Sequence, residues 1–174
     1  EDLCWCSYNI AECYQRMKHY KDAELHYQKA LQIGRRYYGD MDLEVAFLYG
    51  ELGKCFEKQE RYRTASHCRE KSFQIHLECT TVTNEETQDA LIAWTHTLLL
   101  GSQTLLAYQS LQDYLEDVIS LKPERLQLWE EPMTILAMQL KEDGSLEANE
   151  SDMIGWLPST AWFLSIVGIL GTSI

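Results

Sequence analysis

The chain has 174 residues, 45% hydrophobic and 24% charged, a balance that excludes a disordered segment and suffices for one domain with a buried core. Nine glycines and three prolines leave long uninterrupted stretches, and no run alternates apolar and polar residues as a half-buried strand does, so the expected fold class is all-α. A net charge of −12 argues against a nucleic-acid partner, whose phosphates need a surplus of Lys and Arg.

Glu1-Asp2-Leu3 stands one period of 42 residues before Leu43-Glu44-Val45, with no initiator Met and no secretory signal, which points to a piece of a longer protein that begins where a repeat opens. Ile10, Tyr14 and Met17 then recur at the spacing of one helix face. A polar turn over Lys18, His19, Tyr20 and Lys21 follows. The pattern resumes with Ala23, Tyr27, Ala30, Leu31 and Ile33, where small residues alternate with large ones and allow two helices to approach closely. Shifting this unit by 42 residues lands on Tyr49, Leu52, Gly53, Phe56, Ala65 and Ser72, with Tyr20 mapping onto Tyr62. A second shift gives Leu91, Trp94, Leu98, Ala107, Leu111 and Leu115, and a third gives Met133, Leu136, Ala137 and Leu140, a first helix alone that serves as a cap.

Ile10, Ala11, Tyr14, Ala23, Tyr27 and Ala30 match the tetratricopeptide repeat signature, and the chain from about residue 3 to 140 resembles that family. The usual repeat is about 34 residues, so the longer period implies linkers lengthened by roughly two helical turns. Tyr37 to Ala46 resembles the YGxxHPxVA junction of kinesin light chains, without its His-Pro. The resemblance implies a right-handed α-solenoid of about three helix pairs plus a capping helix, with a concave surface for peptide segments and no reaction. The expected organisation is a solenoid over 1–141, with repeats near 3–37, 45–79 and 87–123 and a cap over 132–141. An acidic linker over 142–152 and a hydrophobic tail over 153–174 complete it.

The loop before the third pair is expected over Leu77 to Asn84, where Thr80, Thr81, Val82 and Thr83 disfavour helix. Thr83 or Asn84 caps the next helix, whose first turn carries Glu85 and Glu86. Gly101-Ser102 is the turn inside the third pair. Its second helix runs from about Gln103 to Leu121 and stops at Pro123. Pro132 enters the capping helix at a favoured first position. The 22 uncharged residues from Met153 to Ile174 are long enough to cross a bilayer core of about 30 Å. Their Pro, Ser, Thr and Gly content and the lack of flanking Lys or Arg weaken that reading. A segment folded over the open end of the superhelix and an end without a selected role are the other two readings.

Cys13 and Cys55 occupy the same repeat position and are expected to be small core residues. Cys4 and Cys6 project about 200° apart on a helix, so they do not chelate one ion. The pairs His67-Cys68 and His76 with Cys79 lack CxxC or HExxH context, and no metal or cofactor is expected. Irregular cysteine spacing without a signal peptide favours free thiols in a reducing, cytoplasmic compartment. No GxSxG, GxxxxGK[ST] or GxGxxG motif is present, so no catalytic residues are assigned and the chain is not expected to be an enzyme.

Residues 1–80 hold 12 Lys or Arg against 13 Asp or Glu, and residues 81–174 hold 3 against 14. This acidic C-terminal half serves as a solubilising surface or steers basic partners. What the resemblance implies for binding is a groove lined by first-helix residues: Trp5, Tyr8, Asn9 and Glu12, then Phe47, Glu51 and Lys54, then Asp89, Ile92 and His96. Asn9 matches an asparagine that bonds peptide backbone in groove-binding relatives. Relatives that clamp a C-terminal carboxylate carry Lys, Asn or Arg where this chain has Tyr8, Glu12, Glu51, Asp89 and Ala93. An acidic lining repels a carboxylate, so the expected ligand is a peptide with basic and apolar side chains. The expected function is that of an interaction adaptor or scaffold. The alternatives are a tail-anchored membrane scaffold, or the regulatory repeat region of a larger enzyme.

Overall fold

A computed structural model describes residues 2–81, 84–112, 114, 135, 136 and 139. Every regular element among them is helical: α1 Asp2–Arg16, α2 Tyr20–Tyr38, α3 Leu43–Glu57, α4 Tyr62–Cys79, α5 Glu85–Leu100 and α6 Thr104–Gln112. The second helices open at Tyr20, Tyr62 and Thr104, one period apart each time. Each helix packs chiefly on its neighbours in the chain, α1 on α2, α2 on α3 and so on to α6. Nearest-neighbour packing of this kind makes an all-α solenoid.

The turn inside each pair is built the same way. Lys18, Glu60 and Ser102 have positive φ values of 62°, 59° and 55°. At each site the left-handed residue donates to a carbonyl three residues back and its successor donates to one five back, as Lys18 to Gln15 and His19 to Tyr14. This is a Schellman closure, which satisfies carbonyls that the ending helix leaves open. Between pairs the chain is capped from the other side. Asp42 accepts from the Glu44 amide at 2.9 Å, and Asn84 accepts from Glu86 at 2.9 Å and Thr87 at 3.3 Å.

Two expectations need correction here. The extra length of the repeat is helix rather than linker, because α2 has 19 residues and α4 has 18. The joins shrink to Gly39–Asp42 and Thr80–Asn84. Leu77, expected in a loop, lies inside α4, where packing against the second core holds it.

The core has two parts. The first joins Ala11, Ala23, Tyr27, Ala30, Leu48, Leu52, Cys55, Phe56 and Ala65 across α1–α4. The second joins Phe73 to Leu91, Trp94, Leu98, Ala107, Leu111 and Leu136. Gly53 of the Leu52-Gly53 pair marks the close approach of α3 to α4, since a Cβ there would lie 3.1 Å from Arg69 Cδ and 3.3 Å from the Ala65 carbonyl oxygen. Of the expected cap, Ile135, Leu136 and Gln139 are helical. Gln139 accepts from the Thr104 hydroxyl at 3.0 Å and donates to the Leu99 carbonyl at 3.0 Å. The rest of the cap, the continuation of α6 toward Pro123 except Tyr114, the acidic linker and the hydrophobic tail lie outside the described residues.

The first helix departs from expectation. Ile10 and Met17 are exposed and α1 buries Cys4, Ser7 and Ala11 instead. Cys13 is exposed whereas Cys55 is buried. The reason is a neighbour: α2 covers this side of α3, and no described helix covers the same side of α1.

Candidate functional site

An amphipathic first helix in a stacked pair has three sides: one against its own partner helix, one against the preceding pair, and one left open. On α1 the open side carries Trp5, Tyr8, Asn9 and Glu12, and on α3 it carries Phe47, Glu51 and Lys54. The structure brings the aromatic members together. Trp5 and Tyr8 meet edge to face with centroids 5.5 Å apart, and Phe47 lies 6.1 Å from Trp5 and 5.3 Å from Tyr8. Two side chains of α2 complete the cluster. Tyr27 lies 6.0 Å from Tyr8, and the Tyr38 hydroxyl accepts from Trp5 Nε1 at 3.2 Å. Tyr38 has no first-helix position to single it out; Tyr27 reads as core in the sequence, and it is fully buried.

The charges around this cluster are paired. Arg16 bonds Glu12 at 2.6 Å and Lys54 lies 3.5 Å from Glu51. Glu12 and Glu51 nonetheless converge on the same phenols. Burial first, then the fields of Glu51 and Glu12, raise the Tyr8 phenol above its ordinary value. Tyr27 is pushed up further by its burial, with Glu51 the next cause. Both phenols therefore stay protonated. The Tyr27 hydroxyl has no hydrogen-bond partner. Asn9 is exposed beside them.

The residues from the third first helix stand elsewhere. Asp89 is exposed on α5, Ile92 packs against the second core, and the half-buried His96 acts on Glu57 of α3. Glu57 was not singled out by the sequence, yet it joins α3, α4 and α5. Arg69 holds it through two bonds at 2.8 and 3.2 Å, and the Thr97 hydroxyl donates to it at 2.6 Å. Burial works to raise this carboxyl, but Arg69, Thr97 and His96 together bring it below the usual carboxylate range. No group of three or more His, Cys, Asp or Glu side chains among the described residues is placed to hold a metal ion. None of the helices among those residues is long and apolar enough to cross a membrane.

Residues 4–78 match the tetratricopeptide repeat family model. Residues 4–78 are tetratricopeptide-type repeats. Among solved structures, its fold is similar to the crystal structure of BtubC (BKLC) from P. vanneervenii, with a TM-score of 0.66 at 12% identity. That alignment takes in 97% of this chain and 65% of the other, so the chain spans about two thirds of its length. At this identity the likeness concerns fold alone. No curated protein matches the sequence significantly. Tetratricopeptide repeats generally mediate contacts between proteins, and the α1–α3 cluster sits on helices inside the matched region.

Proposed function

We propose that the chain is a protein-binding adaptor rather than an enzyme, with the open side of α1 and α3 forming a groove for a peptide that carries Lys or Arg beside an apolar side chain. The observation that supports this most is the meeting of Trp5, Tyr8 and Phe47 from two successive first helices, with Glu12 and Glu51 acting on the same phenols. Aromatic anchors bounded by acids suit an apolar side chain next to a cation. Lys54 and Arg16 at the rim temper the acidity, so a mixed peptide is a better fit than a polycation.

The kinesin light chain-like subtype belongs to this reading. It draws support from the 42-residue spacing of helix starts and from the junction after Tyr37, where Gly39 takes φ 99° and Arg35 pairs with Asp40. A reducing, cytoplasmic setting fits thiols such as Cys4, Cys55 and Cys68, which are buried singly as core residues.

The test uses the full chain and two labelled peptides of equal length, one built from Lys and Leu and one from Glu and Leu. Fluorescence anisotropy should show binding of the basic peptide alone. Glu51→Lys should weaken it by at least about 1 kcal/mol, while Glu70→Lys, the same charge change on α4, does little. Equal losses from both variants, or equal binding of the acidic peptide, would overturn the groove assignment.

A further inference from the structure

Where Trp5, Tyr8 and Phe47 meet, their ring centroids form a triangle with sides of 5.5, 5.3 and 6.1 Å. The rings are turned 82°, 58° and 44° to one another, so they stand at angles and do not lie in one stack. Phe47 is 39% exposed, and Trp5 and Tyr8 are half-buried, so the cluster keeps an open face. An atom resting about 4 Å above the middle of the triangle lies within about 6 Å of all three centroids, the reach of a ring quadrupole on a cation.

This face attracts positive charge but offers an N–H little to bond. Phe47 and Trp5 carry no hydrogen-bond acceptor, and the Trp5 indole N–H is taken up by the Tyr38 hydroxyl at 3.2 Å. Glu12 and Glu51 already hold Arg16 at 2.6 Å and Lys54 at 3.5 Å. Their field nonetheless reaches the rings: at the Tyr8 phenol the two carboxylates outweigh Arg16, so the sign there is negative. A primary ammonium has three N–H donors that need acceptors, and it is strongly hydrated, so it loses water when set on ring faces. A trimethylammonium has no N–H to satisfy, spreads its charge over its methyl groups and lays them on the rings as apolar surface. Ring faces under a negative field therefore suit the methylated cation better.

We infer that the Trp5–Tyr8–Phe47 face takes a trimethylated lysine side chain of a partner peptide, its methyls on the three rings and its charge in the field of Glu12 and Glu51. The inference rests on the peptide groove proposed above and narrows its ligand from a basic residue to a methylated one.

The test uses the full chain and one peptide of Ser, Gly and Leu whose single central lysine is prepared in three forms: unmodified, trimethylated, and as the neutral tert-butyl isostere. By fluorescence anisotropy the trimethylated form should bind about tenfold more tightly than either of the others. Its N-methyl proton signal should move upfield on binding, because ring faces shield whatever rests on them. Phe47→Leu, at an exposed position, removes one face and keeps apolar bulk. It should leave the circular dichroism unchanged, take away most of the preference and shrink the upfield shift. Tetramethylammonium, the same group without a peptide, should compete only at far higher concentration. Equal affinities for the three forms would overturn the inference and leave the groove standing, whereas no binding of any form would remove the groove as well. A neutral isostere that binds as tightly as the cation would reduce the contact to apolar burial, and tetramethylammonium that binds as tightly as the peptide would assign the face to a small free cation. Either result also overturns the inference.

Discussion

Tyr27 and Glu57 are both buried polar groups at helix contacts, and they answer burial differently. The Tyr27 hydroxyl has no partner, and an unsatisfied buried hydroxyl costs about 1–3 kcal/mol. Tyr27→Phe is therefore expected to raise stability by about 1 kcal/mol in urea unfolding, with the ring packing unchanged. Glu57 is fully engaged, by Arg69 and Thr97, with the ion-paired side chains only 17% and 16% exposed. Arg69→Met leaves its carboxylate without the pairing cation and should cost about 3 kcal/mol. Glu57→Gln in that background should recover part of the loss. The pH dependence has a definite sign. The folded carboxyl lies below its ordinary value of 4.5, so the pair's contribution is complete above that pH and falls away as pH drops through the folded value. Arg69→Met should flatten this acid limb of the stability profile. None of this was readable from composition: a Glu and an Arg 12 residues apart on different helices carry no mark in the sequence. Cys13 and Cys55 make the same point. They share a repeat position, and the one is exposed because burial belongs to the neighbour as much as to the residue.

The helices show which local signals survive without tertiary knowledge. Asn84 as cap, the acidic first turn after it and Gly101-Ser102 as a turn are all set by backbone chemistry within a few residues, and they stand as read. A longer period can be spent either in loop or in helix, and the spacing of the repeat alone does not distinguish the two. Residues such as Ile33, Tyr38 and Leu77 settle it by packing on the cores. The left-handed positions Lys18, Glu60 and Ser102 carry no mark in the sequence because none is glycine, the residue that normally signals such a closure. A side chain there costs about 1 kcal/mol relative to glycine. Glu60→Gly should accordingly stabilise the protein by about that amount, and Glu60→Val should destabilise it, both measurable by thermal unfolding. If the turn closed without a left-handed residue, both changes would act in the opposite order.

At the scale of the molecule, contacts that run chiefly between chain neighbours make stability largely a sum of local terms, coupled through shared helices. The small residues that let each pair close were legible because their spacing repeats: Ala23, Ala65 and Ala107 are all fully buried. The aromatic cluster was legible only in part, since Trp5, Tyr8 and Phe47 lie on faces that helical periodicity defines, whereas Tyr38 reaches it from the end of α2. The two cores meet at α4, where Phe73 belongs to one and Ile75 to the other. Adding three carbons at a closed contact overpacks it by roughly 1–3 kcal/mol. Ala23→Leu, Ala65→Leu and Ala107→Leu should thus have similar total costs but different reach. In hydrogen exchange, Ala23→Leu should speed exchange in α1 to α3 and leave α5 protected. Ala107→Leu should do the reverse, loosening α5 and α6 while α1 and α2 hold. Ala65→Leu, on the helix that serves both cores, should loosen α3 and carry into α5. Uniform acceleration by all three variants would mean that the helices unfold as one cooperative unit, and that the chain's solenoid packing does not divide its stability.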